Sequence, residues 1–293
     1  MNASPAEYLF PATVQEAVQA LANWKGEARV IAGGTDLMLD LEKNKINPRC
    51  FVSTDRIHGL NEITLEDDFV VIGSAVTFAN LKDHAYINQH VHVLADAARS
   101  VGSLSIQNEA TLAGNIVNAM PAADGVMASI ALDAEVYVVD VEHAEWTPLD
   151  SLFLGPGSSS IDSTRQLVTG IRFPRCEHRQ GTAWYRLGRR PSLTLPILNC
   201  AVNIFLDENG KSITRARIAI GPVAPRPFRA REAEQFLEGR AVSDETLKQA
   251  AEIAQKETNP RGNVLRASRE YRLETIPVIV ENALACAIQR ALT

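Results

Sequence analysis

Two short segments hold the residues best suited to chemistry, and neither carries a nucleophile or an acid–base pair. The first is Ala32-Gly33-Gly34-Thr35-Asp36, directly after the apolar run that opens at Ala28. Paired glycines let a backbone turn tightly and approach a ligand closely, with N–H groups aimed at an anion. Thr35 adds a hydroxyl donor, so the segment suits a pyrophosphate. Taken alone it reads more often as a tight strand-to-helix turn. It is neither G-x-G-x-x-G nor a P-loop, because no Lys follows the glycines, so an ordinary doubly wound nucleotide fold is not indicated. The second segment is Thr111-Leu112-Ala113-Gly114-Asn115, continuing through Asn118 and Pro121 to Asp124. Small residues again permit close approach, and Thr111, Asn115 and Asn118 supply polar contacts. Asp124 suits either a ribose hydroxyl or the N-cap of a helix starting at Gly125.

The remaining reactive residue types are scattered. Of the six histidines (His58, His84, His90, His92, His143 and His178), only His90-x-His92 has any spacing to consider. On a helix those two point apart, and no metal is expected. Cys50, Cys176, Cys200 and Cys286 form no C-x-x-C pair, so neither zinc nor an iron–sulfur cluster is expected on this chain, and the thiols read as reduced and packed. No G-x-S-x-G supports a serine hydrolase. Phe78, Tyr86, Trp146 and Trp184 read as core or interface aromatics.

A net charge of -6, with Arg186, Arg189 and Arg190 as the one dense basic stretch, argues against a nucleic-acid surface. The composition, 46% hydrophobic and 22% charged, is that of a globular protein. Met1 to Phe10 has no basic n-region and no apolar h-region, and no apolar run approaches the length of a bilayer span. A cytoplasmic location is the expectation.

The elements that must position these segments follow from periodicity and punctuation. Thr13-Val14-Gln15-Glu16 fits a capping box ahead of a helix through Val14, Ala17, Val18 and Leu21, with Gly26 as its stop. Strands are expected at Ala28 to Ala32, Cys50 to Ser53, Phe69 to Gly73, Ala134 to Val141 and Leu167 to Phe173. Helices are expected at Leu37 to Lys43, from Thr77 to Leu81, at Ile87 to Arg99 and at Gly125 to Leu132, with a loop over Gly155 to Ser160. From about residue 178 the pattern changes. Strands Thr182 to Leu187, Asn199 to Leu206 and Ile213 to Ile220, the last two joined at Asp207-Glu208-Asn209-Gly210, precede helices at Arg229 to Leu237, Asp244 to Lys256 and Ser268 to Arg290. Strands followed by helices suggest a separate α+β domain.

The order and spacing of the motifs carry a resemblance. Ala-Gly-Gly-Thr-Asp at 32–36, Ile-Gln-Asn at 106–108, Ala-Thr-Leu-Ala-Gly-Asn at 110–115 and Asp124 resemble the flavin-binding signatures of the FAD subunits of molybdenum hydroxylases of the carbon monoxide and xanthine dehydrogenase type. Tyr185 to Ser192 resembles the family's stretch opening its C-terminal domain, and Arg266-Ala267-Ser268-Arg269-Glu270-Tyr271-Arg272 its closing helix motif. The resemblance implies an α+β chain. Its FAD-binding domain, of the vanillyl-alcohol-oxidase (PCMH) type, spans residues 1–175 with lobes of about 1–54 and 55–175. A CO dehydrogenase flavoprotein-like domain spans 178–293. FAD would lie between the lobes. Arg29, Val30 and Ile31 with Ala32–Asp36, and Ala110 with Thr111–Asn115, would hold its pyrophosphate. Asp124 would bind toward the adenosine end, Leu167 would flank the flavin or adenine, and Arg186 would stand where relatives usually carry Lys.

The resemblance further implies molybdopterin on a large partner subunit, 2Fe-2S clusters on a small one, and NAD or another electron acceptor, in a dimer of heterotrimers. No catalytic side chain is then needed here, since the cofactor carries the chemistry. Three departures bear on FAD. Gln107 stands where the family usually has Arg, removing a charge from near the flavin region. Ala113 replaces the first Gly of Gly-Gly-Asn. Arg186 keeps the charge of Lys but not its shape. The alternatives are a stand-alone flavin reductase or oxidase of the same superfold, or a non-enzymatic scaffold subunit that has lost FAD.

Overall fold

The computed structural model describes residues 7–190, 192–263 and 266–293. Of the stretches read above, Met1 to Ala6 and Pro191 lie outside them. The chain opens with β1 (Glu7–Leu9), α1 (Val14–Asn23), β2 (Ala28–Ile31), α2 (Leu37–Glu42) and β3 (Cys50–Ser53), whose strands form a parallel sheet in the order β1-β3-β2. Thr13 caps α1 by accepting from the Glu16 N–H at 3.2 Å, while the Glu16 carboxylate accepts from the Ala12 N–H at 2.8 Å. The box therefore closes one residue earlier than its usual reciprocal form. Ala17, Val18 and Leu21, on one face, bury against Ala28, Cys50 and Val52.

A second lobe follows: β4 (Ile63–Leu65), β5 (Phe69–Gly73), α3 (Phe78–Asp83), α4 (Ala85–His90), α5 (His92–Ser100), α6 (Leu104–Glu109), α7 (Leu112–Val117), α8 (Asp124–Ala131), β6 (Glu135–Val139), β7 (Ala144–Pro148), β8 (Phe153–Gly155), β9 (Ser158–Ser159) and β10 (Leu167–Pro174). Five of its strands form an antiparallel sheet, β4-β5-β10-β6-β7. The helix expected over Ile87 to Arg99 is two helices, broken at Val91, whose φ of -120° and ψ of 56° are not helical. The break turns α5 so that Val93, Leu94, Ala95, Ala97 and Ala98 all bury. The expected loop over Gly155 to Ser160 contains the second strand of a small hairpin, β8 with β9.

The C-terminal part holds β11 (Gln180–Leu187), β12 (Leu198–Leu206), β13 (Ile213–Gly221), β14 (Phe228–Arg229), α9 (Arg231–Leu237), α10 (Asp244–Glu257) and α11 (Arg269–Leu292), its strands antiparallel in chain order. All nine residues of β12 are buried because both faces of the sheet are covered. Leu198, Cys200, Val202 and Ile204 face α11, with α10 packed beyond it, whereas Ala201 packs into the core of the second lobe. On that same lobe-facing side, Asn203 Nδ2 donates to Ala131 O at the end of α8 (3.2 Å), and Asn199 Nδ2 reaches its start. Four strand residues span about 13 Å, close to the roughly 12 Å of an eight-residue helix, so β12 holds α8 at both ends. Thr182 Oγ1 accepts from the Val93 N–H (3.1 Å), and Trp184 Nε1 donates to Ser100 Oγ (3.0 Å), fixing α5 in the same way.

One helix, α11, is long and apolar enough by length and composition to cross a membrane, contrary to the sequence expectation. In this fold its Ile276, Val280, Ala283, Leu284 and Ala287 pack into the core beneath β11 and β12.

Candidate functional site

The two glycine segments meet. A Cβ on Gly33 would lie 1.7 Å from Glu109 O, so the turn after β2 rests directly on the peptide that precedes Thr111. Gly34 has φ +65°, the left-handed region where glycine avoids strain. The N–H groups of Gly33, Gly34 and Thr35 donate to no acceptor among the described residues. A second tie between the lobes runs from Asn118 Nδ2 to the Asp36 carboxylate at 3.0 Å. Burial and then neighbouring Asp40 raise the pKa of Asp36, and the Asn118 hydrogen bond partly offsets them.

On the other side, Thr111 caps α7 by accepting from the Gly114 N–H at 3.0 Å. Asn115 Oδ1 accepts from the Val126 N–H at 3.3 Å and so joins α7 to α8. Gly125 is required there, because a Cβ would come within 2.9 Å of both Leu112 Cδ1 and Asn115 Oδ1. The segment from Asn108 to Asp124 thus folds partly as short helices. Ser103 and Thr111 start α6 and α7 through side-chain caps on the Ile106 and Gly114 N–H groups.

Between the lobes and the C-terminal sheet lies a cleft of about 780 Å³, within the range of small-molecule and cofactor sites. It gathers most of the residues singled out from sequence: Arg29, Val30, Ala32, Gly33, Gly34, Thr35, Asp36, Ala110, Thr111, Ala113, Gly114, Asn115, Asp124 and Arg186 all line it. Ile31, Leu112 and Leu167 do not. Ile31 and Leu167 lie between lining neighbours, Val30 with Ala32 and Gln166 with Val168, and alternation turns them away, although the long Arg29 side chain on the Ile31 side of β2 still reaches the cleft. Leu167, 1% exposed, belongs to the core of the first lobe. Leu112, also 1% exposed, packs in the core of the second lobe, against Gly125.

Gln107 is likewise not a wall residue. It is buried, and its Nε2 donates to Arg99 O (3.0 Å) and Val101 O (2.9 Å), satisfying carbonyls at the end of α5. The Gln107 amide is therefore spent on the end of α5, behind the wall residue Val101. Phe78, read as core, is fully buried and also forms part of the wall.

Three features have no counterpart in the sequence reading. Thr54 Oγ1 and Ser74 Oγ are buried in the cleft wall without a hydrogen-bond partner, in residues only 3% and 2% exposed. Buried hydroxyls are normally paired, so an unpaired couple on one wall calls for a polar occupant. The third feature is a roof, Leu193-Thr194-Leu195-Pro196, from the connection between β11 and β12. The Leu193 N–H donates to Gly102 O at 3.2 Å, and Arg186 Nη2 donates to Thr194 O.

Asp124 is the electrostatic centre of the site. It is the first residue of α8 and not its cap, which is Ala123. Its Oδ2 accepts from Arg186 Nε at 3.2 Å and its Oδ1 from Asn199 Nδ2 at 2.9 Å. Burial pushes its pKa up to about 6, with Arg186 and Asn199 only partly offsetting the lost hydration. Among the described residues no cluster of three or more His, Cys, Asp or Glu could hold a metal.

Residues 4–176 match the FAD binding domain in molybdopterin dehydrogenase, and residues 183–287 the CO dehydrogenase flavoprotein C-terminal domain. The xanthine dehydrogenase FAD-binding subunit of Escherichia coli O157:H7 is 30% identical over 287 residues, covering 98% of this chain and 97% of its own. The nicotinate dehydrogenase FAD-subunit of Eubacterium barkeri is 29% identical over 244 residues, covering 82% of each chain. A solved carbon monoxide dehydrogenase from Hydrogenophaga pseudoflava, lacking the Mo-pyranopterin moiety, matches with a TM-score of 0.90 at 28% identity over 98% of each chain.

Proposed function

The chain belongs to the family of FAD-binding subunits of molybdopterin dehydrogenases, and on that premise we propose that it is the FAD-carrying electron-transfer subunit of a multi-subunit molybdenum hydroxylase. The observation that carries this reading is the meeting of the two glycine turns on one cleft whose wall holds two unpaired hydroxyls. These residues fit a dinucleotide. Glycine backbones admit a pyrophosphate without steric conflict, and the N–H groups of Gly33, Gly34 and Thr35 are available to it. Thr54 and Ser74 supply further donors.

FAD, when bound, supplies the redox chemistry of one- and two-electron exchange. The protein's part is to hold and surround it. The stretches Arg29–Asp36 and Ala110–Asn115, without the inward Ile31 and Leu112, grip the pyrophosphate. Leu193 and Leu195 in the roof, both exposed, offer the cofactor an apolar cover. The Asp124 carboxyl, with a pKa of about 6, holds or releases a proton on the wall, and Arg186 balances its charge. Leu167 supports the fold of the first lobe and gives the cleft its neighbours Gln166 and Val168.

The assembly reading rests on relatives named as FAD subunits and medium chains of dehydrogenases. A large molybdopterin subunit and a small 2Fe-2S subunit deliver electrons to this chain in the cytoplasm, and NAD or another acceptor removes them. The domain boundary falls between residues 175 and 178. Purification of the tagged chain from its own host, with flavin, iron and molybdenum quantified, tests the assembly. All three in fixed proportion is the expected result, and a chain that purifies alone from fresh extract would contradict it. Anaerobic addition of NADH that bleaches the flavin band near ~450 nm would identify nicotinamide as the acceptor.

A further inference from the structure

Asn199 belongs to β12 of the C-terminal domain, yet its amide is spent entirely on the cleft of the other domain. Its Nδ2 donates to Asp124 Oδ1 at 2.9 Å and to Ala122 O at 3.2 Å. Its own Oδ1 is buried with no partner, pressed toward Gly221, where a Cβ would lie 2.6 Å away. The residue is fully buried in a strand otherwise built of apolar side chains and Asn203. A buried amide with an unpaired oxygen lowers stability, and an apolar residue of the same size would avoid that cost. What the amide nitrogen gives in return lies at Asp124 and Ala122, both residues of the cleft wall.

We infer that Asn199 is a positioning residue of the cofactor cleft: with Arg186 it fixes the Asp124 carboxylate in one orientation, so that cofactor affinity depends on the docked C-terminal domain. The inference rests on the reading that the cleft holds FAD. Three elements bear on Asp124. Arg186 of β11 brings the facing charge, Asn199 of β12 brings a neutral donor, and α8 carries Asp124 itself. Two carboxylate oxygens held by two side chains from two strands leave the group no rotational freedom. Without Asn199 the carboxylate keeps Arg186 alone, on one oxygen, and its ionised form loses a stabilising hydrogen bond.

Asn203 provides the internal control. It lies on the same face of the same strand and donates to the other end of α8, at Ala131 O, with no contact to Asp124. Asn199→Leu and Asn203→Leu thus each remove a clamp on α8, the second also freeing Gln180 Nε2, and only the first bonds residues that line the cleft. The experiment is FAD titration by flavin fluorescence across pH, with urea denaturation of each variant.

Asn199→Leu is expected to weaken FAD binding about tenfold, the usual worth of a hydrogen bond to a charged group, and to move the pH dependence of binding upward. Asn203→Leu is expected to leave both unchanged. In an Asp124→Asn background, Asn199→Leu should weaken FAD far less. Equal losses in the two leucine variants, or wild-type affinity and pH profile in Asn199→Leu, would overturn the inference. If Asn199→Leu does not fold, Asn199→Ser reads the same two quantities. Wild-type protein that takes up no FAD would instead overturn the cofactor reading beneath it.

Discussion

The Arg186 guanidinium meets the Asp124 carboxylate at 3.2 Å, with both side chains less than a tenth exposed, and the pair joins two domains across a cleft. Arg186 comes from β11, Asp124 from the first turn of α8, and the roof carbonyl of Thr194 takes another arm of the same guanidinium. One side chain thereby links the domain contact, the acid on the wall and the cover of the cleft. A lysine there would offer a compact ammonium in place of a rigid fork and could not reach both groups in this way.

The burial of Asp124 sets a pH dependence whose sign is fixed. Its folded-state pKa of about 6 lies above the ordinary 3.8. Its contribution is intact below the ordinary value, declines as pH rises through about 6, and is level thereafter, a total of order 3 kcal/mol. Asp124→Asn should therefore gain on wild type between about pH 4 and about pH 7, read by urea denaturation of the FAD-free protein. A stability difference that stays flat across that range would contradict it.

Gly33→Ala forces a methyl onto the Glu109 carbonyl, so the two glycine turns must part. The expected loss is about 3 kcal/mol or more, together with loss of FAD uptake. Gly155→Ala, where nothing lies within 4 Å of the new Cβ, should stay within about 0.5 kcal/mol of wild type. Thermal or urea unfolding of the two variants side by side makes the comparison.

Thr54→Val and Ser74→Ala are predicted to act with opposite signs on two measurements. Each removes a buried hydroxyl that has no partner, so the FAD-free protein should be unchanged or more stable by up to about 1 kcal/mol. FAD affinity should fall about tenfold per site. Affinity equal to wild type in both would remove these hydroxyls from the cofactor's surroundings.

Thr111→Val deletes the cap on α7, at a cost of about 1 kcal/mol, and loosens the Gly114 turn. Thr111→Ser keeps the hydroxyl and should restore both stability and FAD binding. A serine variant no better than valine would show that loss of the cap does not by itself account for the effect there.

How much of this was legible in the sequence depended on what each feature asks of its residue. The glycine turns were legible because close backbone approach demands glycine, and the two segments sit together as their types implied. Strands β11, β12 and β13 were legible from their apolar runs, whereas the two-residue β14 was not, its Arg229 reading as the start of a helix. Helices α6 and α7 were not, since six residues complete fewer than two turns and show no periodicity; only their Ser103 and Thr111 caps could have revealed them. The break at Val91 was hidden because valine fits a helix pattern on either side. Asp124 read equally as a cap, and its partners Arg186 and Asn199 are remote in sequence, brought close by β-pairing that no local signal encodes. Thr54 and Ser74 are ordinary small hydroxyl residues until burial strips them of partners. Leu167 and Gln107 were placed by analogy, and strand alternation and a helix end account for where they lie.

The central claim, that this chain holds FAD in the cleft between its domains, is tested most directly by the visible absorption spectrum of the purified chain, before and after incubation with FAD and desalting. Flavin bands near ~450 nm that survive desalting in wild type and are lost in Gly33→Ala are the predicted result. A folded wild-type chain that stays colourless with added FAD would contradict the account and leave a scaffold subunit in its place.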